Sequence, residues 1–257
     1  MRGFGIDATV PLDVAAEVAV QAESAGYESF WVNGSPPDKA LDIIEKASEQ
    51  TDLDIGVGVF HLPTISAEEL VSEIRDRGIP QDRLWLGVGS SRRPGALAEV
   101  GGAAEILRSE LGSRVVTAAV GPKMTALAGE VADAVIFTWW IASDVGRSRV
   151  MLEQGASSVG RATPVVVSYI RCALLPQAAA ALAQRADAYG AIPHYQAVFA
   201  RNEMTAAETV VTGSSRAELL PGIELEEAVL DHPVIRAIPA ADTVDAISEL
   251  LIACAPG

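Results

Sequence analysis

Cysteine is nearly missing from this chain. Cys172 and Cys254 stand alone, with no CxxC and no histidine nearby, which excludes a disulfide framework and predicts two buried structural thiols. Histidine is as scarce. His61, His194 and His232 are the three, and no two of them have metal-ligand spacing, so no metal site is expected. Basic residues are few: 19 Lys and Arg face 34 Asp and Glu, a formal charge of −15. That balance excludes a general attraction to nucleic-acid phosphates or anionic lipid, while leaving room for a local basic pocket. No apolar run approaches the roughly 18 residues needed to cross a bilayer. Met1–Asp7 reaches an acidic residue before any stretch of signal-peptide length, so a cytosolic protein is predicted. The phosphate-binding GxxxxGK[ST] pattern is absent too. Gly87-Val88-Gly89 is followed by Ser90-Ser91-Arg92, which breaks the dinucleotide fingerprint and weighs against an open doubly wound sheet.

What is present is an alternation. Of the 257 residues 49% are hydrophobic, enough for one large core, and 1–257 is read as a single domain. Short β-branched runs are predicted as strands at Gly3–Ile6, Glu28–Asn33, Asp54–Phe60, Arg83–Val88, Arg114–Ala119, Ala134–Thr138, Pro164–Ile170 and Ala228–Ala237. Helical spacing follows each: a run opened by Pro11 and ended by Gly26, then Asp38–Glu49, Ser66–Arg77, Gly95–Leu111, Pro122–Glu130, Ser143–Gly160, a long Ala-rich stretch Gln177–Arg201, and Asp242–Cys254. Strands such as Asp54–Phe60 are apolar on both faces, as strands covered by helices must be. The pattern predicts an α/β fold, a compact (β/α)8 TIM barrel with few insertions. Asn202–Glu227, which has no clear period, is expected to be a partly ordered surface excursion.

In such a barrel ligands bind where strands end, among the βα loops and helix N-termini. Two of these turns combine a strand end, glycine and a helix start. Val120-Gly121-Pro122-Lys123-Met124 offers close backbone approach, a helix opened by proline and a cation beside free N–H groups. Gly87-Val88-Gly89-Ser90 is followed by Ser91, Arg92 and Arg93, hydroxyl and guanidinium donors for the same kind of anion. Either turn suits a phosphate, and either serves equally as a turn without a ligand.

At these residues the chain resembles a known family. Ala22–Asn33, Asp54–Phe60, Arg83–Ser90, Ala118–Asp133, Ile192–Tyr195 and Val234–Thr243 are similar, in the right order, to segments of luciferase-like, coenzyme F420-dependent oxidoreductases. The resemblance implies a barrel of the bacterial luciferase-like type, with a deazaflavin lying across its mouth and a hydride passing to or from a small organic substrate. It also implies that the phosphate rests on Gly87, Gly89, Ser90, Ala119, Val120, Gly121, Pro122, Lys123 and Met124. The ring is then expected against a bulge, often with a non-prolyl cis peptide, at Gly58, Val59 and Phe60. A homodimer is implied on the same ground. FMN with monooxygenase chemistry is the alternative within the superfamily, and a barrel that binds cofactor or ligand without turnover is the alternative outside it.

The chain departs from the family at the end of strand two. Many members carry a histidine there, and Ser35 stands in its place. His61 is a candidate replacement acid, or else a loop histidine, and Asn33 is expected to point a polar group at the site. Of Trp139 and Trp140, one is expected to line the substrate cavity and the other to pack between helices. Tyr169 and Arg171 share a strand face; they bind an anionic substrate or cofactor tail, or form a barrel-interior ion pair. His194 either faces the mouth or caps a packing layer. His232 belongs away from the active face, and Asp7 is a candidate cap for the first helix.

Overall fold

The computed structural model describes residues 2–139 and 142–257. Eight parallel strands close on themselves: β1 (Gly3–Ile6), β2 (Ser29–Val32), β3 (Asp54–His61), β4 (Leu84–Gly89), β5 (Arg114–Ala118), β6 (Ala134–Phe137), β7 (Val165–Leu174) and β9 (His232–Ala237). β1 pairs with β9 and β6 pairs with β7, so the cylinder has no free edge. The predicted (β/α)8 barrel is the observed fold. Around it lie α1 (Leu12–Ser24), α2 (Pro37–Gln50), α3 (Ala67–Asp76), α4 (Ala96–Glu110), α5 (Pro122–Val131), α6 (Ala142–Ser158) and α10 (Val244–Ala253), whose apolar stripes cover the outer strand faces. α3 shows how local the start signals are: Ser66 and Glu69 form a reciprocal capping box.

The cylinder is filled because glycines make room for an indole. A Cβ on Gly56 would lie 2.1 Å from the Trp31 ring and one on Gly3 would lie 3.1 Å from it. Trp31, Trp85, Val116, Ile136, Val167, Tyr169 and Val234 pack together as the interior layer.

The seventh unit differs from the sequence reading. β7 runs on to Leu174, and the long Ala-rich stretch is two helices, α7 (Ala179–Gly190) and α8 (Pro193–Arg201). Pro193 lacks an N–H and holds Ile192 extended, which no single helix tolerates. The segment expected to be a surface excursion instead holds a short strand, β8 (Val211–Gly213), hydrogen-bonded to the far end of β7, and α9 (Arg216–Glu227). Pro221 lies inside α9 and Gly222 follows it, a pair that reads as a breaker in sequence. Leu219 and Ile223 are buried one turn apart, so packing on the barrel overrides that local preference. β9 consequently begins at His232 and not at Ala228.

Candidate active site at the barrel mouth

β3 kinks at its C-terminal end. Its register against β4 shifts between Val57 and Phe60, and the Gly58–Val59 peptide is cis. The bulge is seated on residues without side chains: a Cβ on Gly34 would come within 2.5 Å of the Phe60 nitrogen, one on Gly87 within 2.0 Å of the Val57 carbonyl, and one on Gly89 within 2.9 Å of Val59. Gly87 and Gly89 therefore have a packing duty beneath Val59, whatever else they touch. Phe60 is buried outward, and Val59 and Gly58 stay partly exposed toward the mouth. The Tyr169 hydroxyl donates to the Gly58 carbonyl at 3.3 Å, and burial pushes its pKa up to about 12.

The two glycine turns are not alike. Gly121 opens on empty space, since a Cβ there would meet nothing within 4 Å, and it precedes α5, whose first-turn N–H groups have no carbonyl within the helix. Pro122 and Lys123 are exposed beside it; Val120 and Met124 turn toward apolar clusters, and Ala119 is buried. At the β4 turn Ser90 donates to Glu99 and Arg93 pairs with the same carboxylate, so these two donors are already engaged there. Arg92 remains exposed. Of the two turns, the β5 turn is the one with open space beside a helix N-terminus.

Across the mouth lies a group that the sequence reading only half assembled. Asp7, at the end of β1, does not cap α1, which Pro11 opens without a side-chain cap. Its carboxylate pairs with Arg236 at 2.7 Å and with Arg185 of α7. Burial alone raises its pKa, but Arg236 and Arg185 together hold it below the usual carboxylate range. Asn33 accepts the Ala8 N–H at 2.8 Å and an Arg236 N–H at 3.3 Å, and donates to the Ser35 carbonyl. Among the described residues Arg171 has no ion-pair partner: it donates to Thr138 Oγ1 at 2.7 Å and lies 4.0 Å over the Trp139 ring. Burial, with Arg236 nearby, lowers its pKa to about 10. Trp139 is 1% exposed and holds a left-handed φ of 54°, an uncommon conformation for an indole-bearing residue. Its ring packs on Tyr189 of α7 at 4.8 Å and on Phe199 of α8 at 6.2 Å, so the α7–α8 hairpin covers the mouth.

The remaining expected residues fall outside this group. His61 bonds Ser91 at 2.8 Å and Thr64 at 3.3 Å beside the β4 turn, and Ser35 is exposed. His194 packs against Tyr195 on α8, with burial and then Arg92 lowering its pKa. Trp140 lies outside the described residues. His232 is at the opposite end of the barrel, stacked on Trp85. Arg236, Arg185, Tyr189 and Thr138 were not singled out from sequence. Arg236 had a signal: His232, Val234 and Arg236 alternate along one strand face, and an arginine in such a row points into the barrel.

The residues fit a phosphate-bearing ring cofactor on one observation: the open Gly121 turn at a helix N-terminus, in the same mouth as the β3 bulge. No family model matches the chain, and no curated protein matches it in sequence. Solved structures do. An F420-dependent secondary alcohol dehydrogenase in complex with an F420–acetone adduct superimposes with a TM-score of 0.75 at 15% identity, over 98% of this chain and 97% of that one. The coenzyme F420-dependent tetrahydromethanopterin reductase of Methanopyrus kandleri gives the same values. The oxygenating constituent of 3,6-diketocamphane monooxygenase of Pseudomonas putida, in complex with FMN, has a TM-score of 0.70 at 13% identity, over 99% of this chain and 96% of that one. The chain has the (β/α)8 barrel fold of these structures.

Proposed function

We propose that this chain is an oxidoreductase that transfers a hydride between coenzyme F420 and a small organic molecule at the barrel mouth. The observation that carries the reading is the placing of an open glycine turn, Gly121 before α5, in the same mouth as the β3 bulge at Gly58, Val59 and Phe60. When bound, the deazaflavin supplies the hydride chemistry itself. The chain supplies position and dryness. Gly121, Pro122, Lys123 and the α5 amides would hold the phosphate; Val59 would support the ring; the α7–α8 hairpin would exclude water, as its ring contacts with Trp139 do now. Tyr169, with its pKa raised to about 12 by burial, stays protonated at neutral pH and serves as a hydrogen-bond donor. The likeness to the FMN-bound monooxygenase component favours a second reading, flavin-dependent oxygenation in the same seat.

A fluorescence titration with F420 and, separately, FMN separates these. Saturable F420-selective binding is expected, weakened about tenfold or more by Gly121→Val, whose Cβ has no neighbour within 4 Å, and severalfold by Lys123→Ala. Preference for FMN with oxygen uptake moves the monooxygenase ahead. If neither binds, the cofactor assignment is wrong.

A further inference from the structure

Arg171 and Arg236 are direct cross-strand partners on β7 and β9. Neighbouring strands are about 5 Å apart, and like charges placed so repel. Both side chains point inward and both are more than nine-tenths buried, at 7% and 5% exposure. Among the described residues the ion pairs of this group converge on one carboxylate, Asp7, which Arg236 shares with Arg185. Three guanidinium groups thus face a single negative charge. The shortfall is visible in the hydrogen bonds: one Nη atom of Arg171, one of Arg236 and the indole N–H of Trp139 are buried without a partner among the described residues. Such donors destabilise a fold unless something accepts from them.

Resting on the reading of this mouth as the substrate chamber, we propose that Arg171, Arg236 and Trp139 form a subsite for a carboxylate, so that the substrate is a small carboxylic acid in its anionic form. A carboxylate offers two acceptor oxygens in one plane, the match for guanidinium N–H pairs, and carries the charge that Asp7 cannot supply alone. Thr138 and the Trp139 face fix the Arg171 guanidinium in place before the ligand arrives. Arg236 is fixed likewise by Asp7 and Asn33.

The test uses the whole chain without added cofactor, with benzoate as the probe and benzamide as its uncharged isostere, at constant ionic strength, read by thermal shift and calorimetry. Benzoate should bind and raise Tm; benzamide should bind at least about tenfold more weakly. Arg171→Gln and Arg236→Gln should each reduce benzoate affinity about tenfold or more. Without benzoate, Arg171→Gln should be at least as thermostable as the parent, because it removes a buried like charge. A purely structural Arg171 predicts the reverse, a lower Tm with benzoate affinity unchanged, and that result overturns the subsite. So does equal affinity for benzoate and benzamide, even in a protein that binds F420. Carboxylate selectivity in a protein that binds neither F420 nor FMN would sink the cofactor reading and leave the subsite standing. Loss of benzoate binding on saturation with cofactor would hand the positive seat to the cofactor and overturn the substrate assignment.

Discussion

At the foot of the barrel one imidazole ties stability to pH. His232 is 2% exposed, hydrogen-bonded to Ser29 at 2.8 Å and stacked on Trp85 with centroids 5.1 Å apart. Burial pushes its pKa down to about 4, against a partial opposing pull from Asp54. An unfolded histidine titrates near 6.5. Between those values the unfolded chain binds the extra proton, so stability is full above about pH 6.5 and falls as pH drops toward 4, by about 3 kcal/mol from this group. Denaturant melts of the parent and His232→Phe across pH 4 to 7 read this directly. The parent should lose that much more stability than the variant; parallel curves would mean that His232 is already protonated in the folded chain or reached by water.

Among the elements, the α7–α8 hairpin is the part fitted for movement. No residue of α7 is buried, and it is held to the mouth through Arg185 on Asp7 and Tyr189 on Trp139. α8 is anchored better, through Tyr195, Val198 and Phe199. An element with so little buried surface opens at small free-energy cost. Amides of α7 should therefore exchange at least about tenfold faster than those of α10, which buries Ile247, Leu250 and Leu251. Arg185→Ala should speed α7 further and leave the barrel strands unchanged. Protection of α7 equal to that of β9 would make the hairpin a fixed part of the barrel. From sequence this element was legible as helix and not as a cover, because Ala-rich periodicity records which face is apolar and not which surface it meets.

For the whole molecule, charge is the dominant long-range quantity. A formal charge of −15 makes the folded chain repel itself. Salt screens that repulsion, and most of the effect is complete by about 0.15 M, where the screening length has shrunk to about 8 Å. Tm should rise with added NaCl over that range and then flatten. A fall would show that exposed ion pairs, such as Arg77 with Asp42, Glu45 and Glu73, outweigh the net repulsion.

The order and count of barrel strands and most of the covering helices were determined by sequence alone, because they rest on local signals: strands apolar on both faces, and prolines and glycines at helix ends; the β3 kink was expected only from the family resemblance. α9 was not legible, since Pro221 and Gly222 contradict a helix that only packing of Leu219 and Ile223 sustains. The chemistry of the mouth was decided by tertiary structure. Asp7 and Arg236 are 229 positions apart in the chain, and closure of β1 on β9 brings them to 2.7 Å. Arg171 and Arg236 become partners only through the β7–β9 pairing, and Arg185 reaches Asp7 only because α7, which follows β7, lies over the mouth of the barrel. Periodicity reports the face on which a residue lies; which other residue shares that spot is set by how the cylinder closes.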